Sequence, residues 1–165
     1  MRGASMTELK LPIELVPSTS WFTNLRSLMT SAQWDHIRRD CYNEAGYRCE
    51  VCGGKGRKHP VECHEIWEYN DEYGLQTLIG TVALCPPCHK VKHMGLQLSR
   101  GTEAFMRSLN HFKVVNDITV EMAELEVMKA FAVHHQRSQI DWEVNVDWIV
   151  MEYPEYFRGD KLKTA

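Results

Sequence analysis

The stretch "ALCPPCHKVKH", residues 83–93, carries a Cys-x-x-Cys knuckle, a histidine directly behind it and a second histidine four positions later. A matching knuckle, "CEVCG", stands upstream at residues 49–53. A two-residue gap lets both sulfurs of a knuckle reach one ion about 2.3 Å away, and two knuckles complete a tetrahedral four-thiolate zinc site. Cys49, Cys52, Cys85 and Cys88 are therefore expected to hold a structural Zn2+. Four thiolates leave no open position for water, so such an ion staples the chain and performs no chemistry itself. Between the knuckles, "VECHEI" at residues 61–66 places Cys63, His64 and Glu65 side by side.

The rest of the chain sets the frame for this pair. At 165 residues it is long enough for one domain with a core of its own. No run approaches the roughly 18 apolar residues of a membrane span, and no paired n-region and h-region marks a signal peptide. A soluble, intracellular, cytoplasmic protein is expected, and without a secretory signal the spacing of the cysteines, four of them in two tight pairs, favours metal binding over a disulfide framework. The formal net charge of -3 offers no global attraction to nucleic acid, so any such binding needs a local patch. The opening "MRGAS" reads as an expression-vector scar ahead of Met6.

Local patterns predict an α+β chain. "TSAQWDHIRRDCYNEAG" reads as a helix over 31–45, with Thr30 as cap, Gln33 three residues on and Gly46 as stop. "VECHEIW" and "LQTLIGTVAL" read as strands, and "PPCHKVKHMG" as a short helix that prolines start and Gly95 ends. Two amphipathic helices follow, one on Phe105, Met106, Leu109 and Phe112, the other on Leu125, Met128, Phe131 and Ala132. "IDWEVNVDW", residues 140–148, alternates strictly and reads as a strand. Residues 6–165 form one expected domain, with a core over 47–95, helical flanks over 20–46 and 96–153, and a loose tail after about 153.

The candidates for chemistry are the residues that the zinc does not use: Cys63, His64, Glu65, His89 and His93. His89 and His93 are four apart and share one face of a helix. In a strand, Cys63 and Glu65 share one face while His64 takes the other.

In order and spacing, "CEVCG", "VECHEI" and "ALCPPCHKVKH" resemble the HNH endonuclease family over residues 47–95, and the flanks are similar to a bacterial or phage branch of it. The resemblance implies a ββα-metal fold, in which a histidine at the end of the first strand activates water and a divalent cation holds the scissile phosphate. Carried over, His64 falls on the general base, Cys63 on an Asp or His ligand position, and His89 on the final metal-binding histidine, with His93 as a further ligand. A second divalent ion, Mg2+, Mn2+, Ni2+ or Zn2+, is implied there. A Cys63 thiolate would favour a transition metal, and Glu65 is its alternative as ligand. The family's middle asparagine falls on Gly80 here, with Asn70 in the nearby loop as a substitute.

Substrate contact is expected from Lys55, Arg57, Lys58 and His59 in the glycine-rich loop, and from Lys90 and Lys92 beside the knuckle. The expected function is metal-dependent hydrolysis of phosphodiester bonds in DNA. The alternative is a zinc-stapled relative without cleavage that binds protein or nucleic acid. The sequence does not fix the oligomeric state, and a homodimer is expected should the protein nick duplex DNA symmetrically.

Overall fold

The computed structural model describes residues 8–157. The proposed vector scar and the last eight positions lie outside the described residues. Seven α-helices and one three-stranded sheet make an α+β fold among them.

Helix α1 spans Leu25–Leu28 and α2 spans Ser31–Glu44. The Thr30 hydroxyl accepts from Gln33 N–H at 3.3 Å, and Gln33 Oε1 accepts from Thr30 N–H at 3.0 Å, so the expected capping box forms. Past the other end Gly46 takes φ 56°, the left-handed conformation that halts a helix.

Strands β1, Glu62–Asn70, and β2, Leu75–Leu84, form an antiparallel hairpin. Their register runs from Glu62 opposite Leu84 to Asn70 opposite Leu75. Ile66 faces Gly80 while Trp67 faces Leu78, so Ile79 is the extra residue of a β-bulge, and it is exposed. Strand β3, Glu143–Asn145, joins β2 in parallel.

Helix α3, Pro86–Lys92, leaves the end of β2 with proline in its first turn. The chain bends at His93, where ψ reaches 40°, and α4, Met94–Ser99, follows at once. Gly95 therefore lies inside a helix and does not end one; His93 makes the break. The amphipathic pair appears as α5, Thr102–Asn116, and α6, Val120–Arg137.

Two further expectations need correction. The strand over 140–148 shrinks to β3, because Asn145 Oδ1 accepts from Asp147 N–H at 2.8 Å and turns the chain into helix α7, Asp147–Glu152. The tail after 153 is not loose as far as residue 157. Pro154–Phe157 make a 3-10 turn, with Tyr156 stacked on Tyr153 at 5.4 Å between ring centroids.

The largest core cluster joins Leu11, Leu84, Val91, Met94, Phe112 and Ala123 around Cys49, Cys85 and Cys88. The segment over 47–95 thus shares its core with the N-terminal stretch and with α5 and α6. Leu11 is tied in by Asn116, whose side chain accepts from Leu11 N–H at 2.9 Å and donates to its carbonyl at 3.2 Å. A second cluster, Leu25, Ile37, Leu78 and Ile149, takes in Trp34, Trp67 and Trp148. No helix among the described residues is long and apolar enough to cross a membrane.

Candidate metal centres

Both knuckles are built by backbone hydrogen bonds around their first cysteine. Gly53 N–H donates to Cys49 O at 2.8 Å, and Gly53 adopts φ 70°, which the tight turn demands. His89 N–H donates to Cys85 O at 2.9 Å as α3 begins. The Sγ atoms of Cys49, Cys52, Cys85 and Cys88 all lie within 4.8 Å of one another, three of the residues buried and Cys52 exposed. A hydrogen bond from Cys88 pushes the Cys49 thiol down to about 4, while burial pushes Cys85 up to about 11. Four sulfurs at this spacing ionise together only around a cation, and the donor set fits a metal ion such as zinc. Nε2 of His111, on α5, stands 3.2 Å from Cys88 Sγ. The sequence carries no cue for this contact, because α5 reaches the knuckle only through the fold.

A second cluster forms where β1 meets α3. His64 from β1, His89 from α3 and His93 at the bend that follows α3 bring one nitrogen each to within 4.8 Å of one another. The His64 ring centroid is 5.2 Å from each of the other two, and His93 Nε2 is 3.1 Å from His89 Nε2. Burial, then the charges of His89 and His93, pushes His64 down to about 2, and burial pushes His93 down to about 4. His89 is also lowered by burial. All three rings are thus neutral near pH 7, the state that offers a lone pair.

Glu62 supports this corner. Its Oε2 is 2.5 Å from Nδ1 of His89 and its Oε1 is 2.7 Å from Nε2 of His59. Burial works against ionisation, but the bonds and charges of His59 and His89 hold the carboxyl below its ordinary value. The two-residue period of a strand puts Glu62 on the face of His64, a signal present in the sequence but not used there.

The structure separates the members of the Cys63-His64-Glu65 triplet. Cys63 packs with Cys41, Val61 and Ala83 beneath α2, and the Cys41 hydrogen bond followed by burial raises its thiol. Glu65 accepts from Leu25 N–H at 2.7 Å and from Trp67 Nε1 at 3.0 Å, its carboxyl raised by burial. Strand alternation turns both away from the histidines, so neither Cys63 nor Glu65 stands as a ligand there. His64, the expected general base, has its ring in the cluster with His89 and His93.

Gly80 supplies no side chain, and the residue opposite His64 is Val82. Asn70 is at the far end of β1, roughly 20 Å from His64 at strand rise, and its Oδ1 accepts from Tyr73 N–H to shape the hairpin turn. It does not replace the asparagine.

Lys55, Arg57, Lys58 and His59 are exposed on the loop before β1, and Lys90 is exposed on α3. Lys92 is not available to a phosphate. It is 8% exposed, and its Nζ pairs with Glu14 Oε2 at 2.9 Å.

No family model, curated protein or solved structure matches this chain.

Proposed function

We propose that this protein is a metal-dependent endonuclease of the HNH type that hydrolyses phosphodiester bonds in DNA. The observation that carries the reading is the meeting of His64 with His89 and His93 at the corner of a hairpin and the helix that follows it, directly behind a four-cysteine cluster. The two donor sets differ in kind. Four thiolates close a tetrahedral site, whereas three imidazoles leave positions open for water and substrate. In this reading His64 serves as a ligand beside His89 and His93, and Glu62 holds His89 with Nε2 turned inward. Three nitrogen donors suit Zn2+, Ni2+ or Mn2+ better than Mg2+, which prefers oxygen. A divalent ion there would supply positive charge to the scissile phosphate and acidity to water.

A plasmid-nicking assay with Mg2+, Mn2+, Ni2+ and Zn2+ in turn tests the proposal. Nicking that follows the transition metals supports it, and intact plasmid with all four overturns it. The second reading, a zinc-stapled module that binds without cleaving, draws on Gly80 at the asparagine position. It predicts bound DNA or protein and no product.

A further inference from the structure

Beside His89 the surface opens into a cleft of about 490 Å3 that the metal centres do not account for. Arg26 from α1, Trp34 and Arg38 from α2, Glu62 and Cys63 from β1, and His89 from α3 all line it. Arg26 is exposed, its guanidinium 5.6 Å from the Trp34 ring centroid, and it makes no ion pair among the described residues. An arginine laid against an indole is held in place with its donors still free. Arg38 is half-buried, and Asp35, also on the wall, accepts from its Nε at 2.7 Å. That bond, with a further one to Tyr42, orients the guanidinium without saturating its five donors.

Trp34 and Arg38 are four residues apart on α2, about 6 Å along the helix axis. With Arg26 over the tryptophan, the two guanidiniums form a row along one wall, which suits the repeating charge of a backbone better than a single anion. At the other side stands His89 with its Glu62 support. Neither Arg57 nor Lys58 lines the cleft.

We infer that this cleft is the track for the DNA backbone, with Arg26 and Arg38 holding phosphates next to the one that reaches His89. The inference rests on the reading of the three-histidine corner as the cleaving centre. It moves substrate binding from the glycine-rich loop to the helices upstream of the first knuckle. These contacts position the strand and read no bases.

Binding of a fluorescein-labelled duplex to the zinc-loaded protein, without added second metal, is measured by anisotropy across a salt series. Removing both arginines (Arg26→Ala with Arg38→Ala) is expected to flatten the log–log salt slope by about two units. In nicking assays it is expected to raise KM with little change in kcat. Arg57→Ala with Lys58→Ala should leave the slope near that of the parent. An unchanged slope in the cleft variant, or the full loss in the loop variant, overturns the inference. Zinc content and thermal unfolding control for folding, and should the alanines unfold the chain, Arg26→Gln with Arg38→Gln makes the same test. A parent that binds duplex with a slope that depends on Arg26 and Arg38, yet nicks with no metal, overturns the cleavage reading alone. A parent that does not bind duplex overturns the cleft.

Discussion

Nδ1 of His89 lies 2.5 Å from Glu62 Oε2, which leaves the opposite ring nitrogen, Nε2, facing His93 Nε2 at 3.1 Å. A carboxylate on one imidazole nitrogen fixes the tautomer and raises the donor strength of the other. The β1 residue that anchors His89 thus sits two positions from the β1 residue that joins it in the cluster.

Glu62→Gln is expected to weaken binding of Zn2+ or Ni2+ at the three-histidine corner by about 10- to 100-fold. Calorimetric titration of protein already holding its structural zinc reads this directly. Unchanged affinity would mean that Glu62 merely pairs with His59 at the surface.

His64→Ala separates a ligand from a base. If His64 is a ligand, the variant loses both nicking and affinity for the exchangeable ion, to an extent similar to His89→Ala. A base that touches only water would cost activity and leave ion affinity intact. Added Mn2+ or Ni2+ is expected to restore part of the activity of His89→Ala, because two imidazoles remain.

The four-cysteine cluster is expected to hold one tightly bound zinc per chain. Cys85→Ser should release it and lower stability by at least about 3 kcal/mol, roughly 10 °C in Tm for a chain of this size. Metal analysis that finds no zinc in the purified protein, or a Cys85→Ser variant with the parent's Tm, contradicts this.

His64 and His93 are held neutral, lowered to about 2 and about 4 from an ordinary value near 6.5. Below pH 6.5 the unfolded chain takes up protons that the folded chain refuses. The stability of protein without the second ion is therefore full above about pH 6.5 and falls steadily as pH drops toward 4. Between pH 7 and 5 the loss is expected to be about 2–4 kcal/mol. Urea unfolding at the two pH values measures it, and His64→Gln with His93→Gln should flatten the dependence.

Lys92→Ala is expected to cost about 1–2 kcal/mol of stability through its lost stem packing and its ion pair with Glu14. The salt dependence of DNA binding should not change. A shallower salt slope in this variant would return Lys92 to the phosphate-contacting set.

Much of this protein was legible locally. The capping box at Thr30, the knuckle spacing and the pairing of His89 with His93 involve residues within four positions of one another, where backbone geometry alone decides who meets whom. The over-long strand at 140–148 failed for a local reason too: burial alternates from residue 140 to 144 and breaks at Asn145, whose side chain captures Asp147 N–H and competes with the ladder.

What the residues by themselves determined is therefore the donor chemistry: which cysteines form knuckles, which histidines share a turn, and that Cys63 and His64 face opposite ways on a strand. Only the tertiary structure decided which face of β1 meets α3. Docking α3 on the Glu62–His64 side put His64 among the histidines and left the half-buried Cys63 and Glu65 packed toward α2 and α1. The same packing turned Lys92 inward to Glu14 and brought Arg26 and Arg38 to the cleft at His89. These placements depend on how apolar faces from distant parts of the chain close on one another, and burial of those faces is non-directional, so no short stretch of sequence encodes its outcome.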